Sequence, residues 1–378
     1  MPVSKPAFTV GIEEEYLVVD RESRDLMKSP PSGMWKGLTE ILGEKVGPEF
    51  LKAQIEVGTQ VATDLNGAME DLRSMRLALD EVVTEYGGAL VASSTHPSAE
   101  WWSQETTDQD RYRELASDLQ QVARRLVICG MHVHVGIEDP DLRIDMMNQF
   151  KYFLPHVLAL STSSPFWTGR NTGLKCYRLS VFQTLPRTGI PEEFSSWREY
   201  ERHVDILVGA GIIEDPTKLW WDIRPSHRYP TLEMRISDVA TRLEDGITIA
   251  AFYLGILHML YRMRLNNHRW RMYSPALISE NVWRAQRYGH EATLIDFGRG
   301  ELVPYGELIE ELIEMTSIDA EILGISKHME HARQIVAEGT SADRQLAAYE
   351  AAILAGANHS EALQNVVDHL MVDTLHGL

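Results

Sequence analysis

The stretch from Phe8 to Asp20, FTVGIEEEYLVVD, constrains the fold most, because it sets three consecutive glutamates within an apolar, strand-like run. Successive side chains of a strand point to opposite faces, so Glu13 and Glu15 share one face. Their Cα atoms would lie roughly 7 Å apart, and at an effective dielectric constant near 20 the two charges repel by about 2 kcal/mol. A solvated strand face is the alternative, but the apolar flanks favour a buried strand. We therefore expect a cation between these carboxylates.

Three later strand-like runs repeat this alternation of polar and aliphatic side chains. QIEVG carries Glu56, MHVHVG places His132 and His134 on one face, and TLEMRIS does the same with Glu233 and Arg235. One histidine on such a face is more often a core residue, whereas two in alternation can reach a common ligand or metal. Antiparallel strands lying side by side would gather these groups on one concave face, with helices behind the aliphatic face. The sequence therefore predicts an α+β fold with an acidic trough.

Length and composition favour one large catalytic domain. The chain has 378 residues, 44% of them hydrophobic, which is enough for a sizeable core. It shows no linker, low-complexity tract or repeat of solenoid period. We predict a single domain over residues 1–378, with the motifs in 8–245 and a mostly helical remainder in 246–378.

The charge balance limits the classes of partner. With 36 basic and 55 acidic residues the formal charge is −19, which argues against nucleic acid or an anionic membrane as a partner and fits cation binding. The two cysteines form no C-x-x-C pair, so a disulfide framework is not expected. The N-terminus lacks a signal-peptide core, and Tyr253 and His258 interrupt the longest apolar run, Ile247 to Leu260. We expect a soluble, cytoplasmic protein.

The ligand types indicate the metal and the chemistry. Carboxylate-rich sites suit Mg²⁺, and an imidazole also tolerates Mn²⁺. Four carboxylates together with several arginines are what metal-assisted phosphoryl transfer needs. A polar loop rich in aromatic residues adds Arg170, Lys175, Arg178 and Arg187, which suit an acidic small molecule if the loop folds over the site, although each could be an ordinary surface cation. Its GRNTGLK run lacks the spacing of a phosphate-binding loop.

Taken in order, five motifs resemble the bacterial carboxylate-amine ligases of the type-two glutamate-cysteine ligase family, which are relatives of glutamine synthetase. The motifs are GIEEEYLVVD, QIEVGT, CGMHVHVGI, the loop beginning SSPFWTGRNTG, and DIRPSHRYPTLEMRISD. The resemblance implies a glutamine synthetase-like curved antiparallel sheet that forms an active-site trough, with helices on its outer face. It also implies an ATP-dependent ligase. ATP would phosphorylate a carboxylate, typically the γ-carboxylate of glutamate, and an amine would attack the acyl phosphate.

The resemblance also implies roles for individual residues. Arg235 would meet the transferring phosphoryl group, next to Glu233. Arg224, Arg170 and Arg178 are expected to hold substrate carboxylate or nucleotide phosphate, with His134 beside them. The positions that match the metal ligands of the family are Glu13, Glu15, Glu56, His132 and Glu233. Small-molecule amino acid and amine substrates follow, and we expect a homo-oligomer because relatives commonly form one. The identity of the amine stays open.

Two other functions compete with this one. A metal-dependent amide hydrolase could use His132 and His134, because H-V-H on a strand resembles the metal-binding pair of amidohydrolase barrels. In that fold the pair lies near the start of the chain, whereas here it follows two carboxylate strands. A non-catalytic module that binds glutamate or a cation needs only the acidic trough, and it leaves the arginines unexplained.

Overall fold

The structure is a computed structural model that describes residues 5–378, apart from the side chains of residues 111 and 115. Its strands are β1 Val10–Asp20, β2 Val46–Pro48, β3 Gln54–Gly58, β4 Gly88–Val91, β5 Met131–Gly136, β6 Phe166–Trp167, β7 Arg170–Asn171, β8 Thr188–Gly189, β9 Trp220–Trp221, β10 Ile223–Pro225, β11 Thr231–Met234, β12 Thr293–Asp296 and β13 Glu301–Pro304.

The helices, given in chain order, cover most of the C-terminal third. They are α1 Ser32–Leu42, α2 Leu65–Glu85, α3 Asp110–Leu119, α4 Gln121–Arg124, α5 Pro140–Phe150, α6 Leu154–Ser161, α7 Arg178–Phe182, α8 Trp197–Gly209, α9 Leu243–Leu265, α10 Pro275–Tyr288, α11 Tyr305–Met315, α12 Ser317–Leu323, α13 Ser326–Glu330, α14 Ala332–Glu338, α15 Ser341–Leu354 and α16 His359–Thr374.

Seven strands form the central sheet, and the three-glutamate strand β1 lies in its interior, as the apolar flanks predict. The order is β10-β11-β5-β1-β3-β2, and β4 pairs with the second half of β1. All of these pairings are antiparallel. The structure thus confirms the predicted combination of an antiparallel sheet with helices.

One of the three glutamates faces the helices instead of the trough. Glu14 is fully buried, and its Oε1 lies 2.9 Å from Nη2 of Arg76 on α2. The Nε of Arg76 donates a second hydrogen bond of 3.0 Å to Glu14 Oε2, and the hydroxyl of Tyr16 also donates to this oxygen. Arg76 further donates to the carbonyl oxygens of Thr241 and Ala240. This network neutralises Glu14 and joins β1 to α2 and to the segment before α9.

Helices α2 and α9 cover the aliphatic face of the sheet. They contact each other, α2 packs on β1 and β4, and α9 packs on β5. Helix α9 is long and apolar enough to cross a membrane by composition, but 94% of its apolar window is buried inside the protein. It therefore has the packing of a core helix.

Two pairs of consecutive helices are separated by short breaks. Gln120, which has a φ of 51°, lies between α3 and α4. A 3₁₀ turn at Lys151–Phe153 separates α5 from α6, and Pro155 in the next turn has no N–H to continue the hydrogen-bond ladder. Strands β12 and β13 form a short antiparallel hairpin.

We predict that Arg76→Met destabilises the protein by about 3–5 kcal/mol, because it leaves the buried Glu14 carboxylate without its cation and with the Tyr16 hydroxyl as its remaining side-chain donor. The midpoint of urea unfolding measures the loss. The control is Arg113→Met, which removes an exposed arginine paired with Asp108 and Asp110 and should leave the urea midpoint nearly unchanged. The double variant Glu14→Gln, Arg76→Met should recover part of the loss. Equal effects of Arg76→Met and Arg113→Met would contradict the role of this pair.

Candidate active site

The register of the sheet gathers the predicted polar side chains on the face that points away from α2 and α9. Neighbouring strands place them directly opposite one another, at the distance where side chains of adjacent strands interact. The opposed pairs are Glu13 with His132, Glu15 with Glu56, Glu233 with His134, and Arg224 with Glu233.

These side chains form three groups that could each hold a metal ion. Within a group, one ligand atom from each residue lies within 4.8 Å of the others. The groups are Glu13, His134 and Glu233; Glu13, Glu56 and His132; and Glu15, Glu49 and Glu56. Since Glu13 and Glu56 each belong to two groups, the three groups form a continuous row across β11, β5, β1 and β3. All five residues that matched the metal-ligand positions of the family lie in this row.

Glu49 is the member of this row that sequence reasoning missed. It follows β2 and is partly buried, and it completes the third group with Glu15 and Glu56. It does not belong to an alternating run, because Pro48 ends the strand and a turn separates Glu49 from β3. The antiparallel pairing of β2 with β3, which sets Gly47 opposite Glu56, brings it to the row.

The third group carries excess negative charge. Burial raises the pKa of Glu15 to about 7, and the charge of Glu49 adds to this shift. Burial also raises the pKa of Glu56 well above its ordinary value, and the charges of Glu49, Glu13 and Glu15 act in the same direction. The side chain of Glu15 is 13% exposed, so water compensates little of this repulsion. Such a cluster fits a bound cation.

In the middle of the row, neighbouring imidazoles stabilise the charge of the carboxylate. Burial acts to raise the pKa of Glu13, but contacts with two imidazoles outweigh it and hold this pKa well below the ordinary value. His132 Nδ1 lies 3.1 Å from Glu13 Oε2, and His134 Nε2 lies 3.5 Å from Glu13 Oε1. Burial, together with the charge of Arg235, lowers the pKa of His132 to about 4. His132 is therefore neutral near pH 7, which is the form that binds metals.

Two arginines adjoin the first group. Arg224 Nε donates to Glu233 Oε2 at 2.9 Å, and Arg235 Nη1 donates to Glu233 Oε1. Burial acts to raise the pKa of Glu233, but these two guanidinium groups hold it far below its usual range. The Nη1 of Arg235 also lies 3.4 Å from His132 Nδ1. Arg235 is thus a buried cation next to both histidine-containing groups.

The other two predicted arginines lie in different places, Arg178 beside Arg235 and Arg170 on the surface. Arg178 is buried, and its guanidinium donates to the carbonyl oxygens of Arg235 and Ile236 at 3.2 and 3.3 Å. Arg170 is not brought to the site, contrary to the sequence prediction. It is exposed on β7, which pairs with β6 in a short hairpin. In the turn of this hairpin, the carbonyl oxygen of Gly169 lies 2.8 Å from Nε2 of His359 on α16. The loop packs on a helix instead of folding over the trough.

One cavity opens at the inner end of the row, and a second lies near its other end. The inner cavity, of about 150 Å³, lies at the end with Glu15 and Glu49 and is also lined by Arg178 and Arg235. The walls of this cavity combine these polar groups with apolar and aromatic side chains, which are Phe50, Tyr112, Leu126, Ile128, Phe182, Leu185 and Trp220. The outer cavity, of about 420 Å³, lies beyond the β10–β11 hairpin and is lined by Arg143, Trp197, Tyr200, Arg228 and Tyr229, among others. The ring of Tyr229 lies 6.4 Å from that of His134.

Known proteins similar to this chain cover nearly its whole length. A Rhodospirillum rubrum protein is 57% identical over 98% of this chain and 96% of its own length, and a Jannaschia protein is 51% identical over 97% and 96%. A Paracoccus denitrificans protein is 46% identical over 97% of both chains. All three carry the name "Putative glutamate–cysteine ligase 2".

Solved structures show the same fold at low sequence identity. The crystal structure of a glutamate–cysteine ligase from Francisella tularensis in complex with AMP matches with a TM-score of 0.68 and 13% identity, over 99% of this chain and 90% of that one. A bifunctional glutathione synthetase from Pasteurella multocida also matches with a TM-score of 0.68 and 13% identity, over 98% of this chain and 53% of that one. These matches confirm the predicted fold.

The family assignment rests on the sequence as a whole. A family model described as glutamate-cysteine ligase family 2 matches residues 9–369, which include every motif quoted above and most of the C-terminal helices. The resemblance that five motifs indicated is therefore confirmed: this chain belongs to the glutamate-cysteine ligase family 2.

Proposed function

We propose that this protein is an ATP-dependent carboxylate-amine ligase that activates the γ-carboxylate of glutamate as an acyl phosphate for attack by an amine. The observation that carries the proposal is the row of three ligand groups with Arg235 beside it. Membership of the family supports the same reaction class. A binding module would need the carboxylates, but it would have no use for two guanidinium groups held against Glu233.

The donor atoms of the row fit Mg²⁺, and the imidazoles also permit Mn²⁺. Glu15, Glu49 and Glu56 would hold an ion at the inner end, where the raised pKa values of Glu15 and Glu56 mark uncompensated charge. The two groups that share Glu13 would hold ions through carboxylate and imidazole. Bound Mg²⁺ would neutralise charge on the phosphate oxygens and so allow an anionic carboxylate to approach the γ-phosphorus. We propose Glu13, Glu15, Glu49, Glu56, His132, His134 and Glu233 as the ligands.

The arginines supply fixed positive charge for the phosphoryl group. Charge spread over phosphoryl oxygens in flight requires fixed cations and no protein nucleophile. Glu233 orients Arg235 and Arg224 through the hydrogen bonds described above, so both guanidinium groups are preorganised. The two cysteines are unsuited to attack, because burial raises the pKa of Cys129 and of Cys176 well above the ordinary value.

The two cavities suggest how the substrates are arranged. The inner cavity is small and contains Arg178 and Arg235, which suits the carboxylates of an amino acid. The outer cavity is larger and has aromatic walls, including Trp197 and Tyr229, which suit the flat base of a nucleotide. ATP lying between them would place its phosphates along the row. We propose this orientation, with the γ-phosphate pointing to the inner cavity.

Several expectations from the sequence stay predictions. They are the cytoplasmic location, the absence of nucleic acid and membrane partners, the single domain and the homo-oligomer. Light scattering on the purified chain measures the oligomeric state directly.

The first prediction concerns the overall reaction. Protein incubated with ATP, Mg²⁺, glutamate and hydroxylamine should form glutamyl hydroxamate and ADP in equal amounts, because hydroxylamine traps the activated carboxylate. Colorimetric and coupled-enzyme assays measure the two products, and omission of glutamate is the control. Amide turnover without ATP would favour the hydrolase that uses His132 and His134, a function that the antiparallel sheet already disfavours. Glutamate binding with no product would favour a binding module.

The second prediction concerns Glu233. Glu233→Gln should lower the rate of ADP formation by at least about 100-fold, because it weakens a ligand group and removes the charge that orients Arg224 and Arg235. Circular dichroism should show an unchanged fold. The matched control is Glu22→Gln, on the exposed turn after β1, which should keep the wild-type rate. Full activity of Glu233→Gln would refute the proposed role.

The third prediction concerns pH. The pKa of Glu15 is raised to about 7 in the folded protein, so its ionisation destabilises the metal-free fold as the pH rises from about 4.5 through 7. With chelator present, Glu15→Gln should therefore be more stable than wild type near pH 8, by up to about 3 kcal/mol, and nearly equal below pH 5. Thermal unfolding at both pH values measures this difference. Added Mg²⁺ should stabilise wild type more than the variant. A variant that is less stable near pH 8 in chelator would contradict the electrostatic account.

A further inference from the structure

Lys218 lines the inner cavity and belongs to none of the groups described above. Three of the described lining residues are lysine or arginine, namely Arg178, Lys218 and Arg235. The two arginines are committed to the protein, because Arg178 donates to backbone carbonyl oxygens and Arg235 donates to Glu233. Lys218 instead pairs with Glu214, whose side chain is 62% exposed. Of these three cations, Lys218 is therefore the one that a ligand can recruit with the least disturbance of the protein.

The backbone around Lys218 is held in place by two arginines. Nη1 of Arg224 donates to the carbonyl oxygens of Thr217 and Leu219, at 2.8 and 2.7 Å, on either side of Lys218. The carbonyl oxygen of Lys218 itself accepts a hydrogen bond of 3.1 Å from Nε of Arg187. Because Arg224 is also an arginine of the candidate active site, these bonds fix the start of the lysine side chain relative to the metal row.

The ammonium group of Lys218, in contrast, can change its partner. An ion pair between a lysine and an exposed carboxylate contributes little to stability. The lysine side chain is a flexible stem that ends in a compact charge, so the ammonium can move from Glu214 to a carboxylate in the cavity. Glu214 would then remain in water, where a carboxylate needs no protein partner. The exchange leaves no buried charge uncompensated.

A carboxylate is the group that this cation would bind in the proposed reaction. One carboxylate lies at the metal row and receives the phosphoryl group. Glutamate carries a second carboxylate three carbon atoms away, and an amino acid that serves as the amine carries one of its own. Either would bring negative charge into a cavity that is already lined by Glu15 and Glu49. A further cation beside it would offset this repulsion.

We propose that Lys218 binds the substrate carboxylate that is not phosphorylated, and that it thereby selects substrates that carry such a group. This inference rests on the proposed ligase function and adds a specificity-determining residue to it. The carboxylate belongs either to the glutamate that is activated or to the amine. The chemistry is the same for both, and the experiment distinguishes them.

The donor is tested with 4-aminobutyrate, which is glutamate without its α-carboxylate. In the hydroxamate assay we expect wild type to prefer glutamate over 4-aminobutyrate by at least about tenfold in kcat/KM. Lys218→Met removes the charge and keeps an unbranched side chain at the cavity wall. If the carboxylate belongs to glutamate, this variant should lower the preference at least about tenfold through a higher KM for glutamate, with the KM for 4-aminobutyrate changed less than about twofold.

The acceptor is tested at saturating glutamate with L-cysteine and with cysteamine, which is cysteine without its carboxylate. If the carboxylate belongs to the amine, Lys218→Met should raise the KM for L-cysteine at least about tenfold and that for cysteamine less than about twofold. Either pattern supports recognition of a carboxylate by Lys218 and identifies its source.

Glu214→Gln is the matched control, because it breaks the same ion pair from the other side and leaves the ammonium group in place. It should keep both substrate preferences at their wild-type values. Lys218→Arg, which retains a positive charge, should keep part of the preference that Lys218→Met loses. Circular dichroism should show the same fold for all three variants.

Two results would overturn the proposal. One is a pair of unchanged substrate preferences in Lys218→Met. The other is an equal loss in Lys218→Met and Glu214→Gln, which would mean that the ion pair only maintains the structure. Failure of wild type to form any hydroxamate would instead refute the proposed function. Calorimetric binding of glutamate to wild type and Lys218→Met would then test this inference without turnover, and equal affinities would overturn it as well.

Discussion

Repulsion between carboxylates held on one face of the sheet is the constraint on which the rest of the site depends. Glu13, Glu15 and Glu56 are held by neighbouring strands, so the backbone hydrogen bonds of β1 and β3 prevent them from moving apart. The protein leaves this charge partly uncompensated at the inner end and balances it with imidazoles and guanidinium groups at the other end. A rigid array of that kind suits metal cations, which supply the missing positive charge. It also suits phosphates, which accept hydrogen bonds from the arginines.

The two faces of β1 have different roles: one stabilises the packing of the helices on the sheet, and the other carries residues of the candidate active site. Glu14 is fully buried, and Arg76 and Tyr16 pair with it, so it holds the helical layer against the sheet. Glu13 and Glu15, one residue away on either side, lack such fixed arginine partners and face the trough. Three consecutive glutamates thus have two different roles, and the pleat of the strand decides which residue has which role.

Much of the site could be predicted because its residues belong to alternating runs. Glu13, Glu15, His132 and Glu233 were assigned to one face from periodicity, and the family resemblance supplied their common purpose. Glu49 could not be found in this way, because it lies in a turn and reaches the row only through the pairing of β2 with β3. Arg170 was placed at the site on the basis of its charge and its aromatic neighbours, but contacts between its loop and α16 hold it on the surface. Loop positions depend on distant packing partners, which a local pattern does not reveal.

The sequence by itself determined the class of fold, the central place of the three-glutamate strand and the face on which each polar side chain lies. These properties follow from side-chain alternation and burial, which are local. The tertiary structure decided which carboxylates become neighbours, that Glu49 joins them, and that Arg170 stays on the surface. Those features depend on strand register and on contacts between residues far apart in the chain. The interactions that stabilise these features form only when the strands of the sheet have paired.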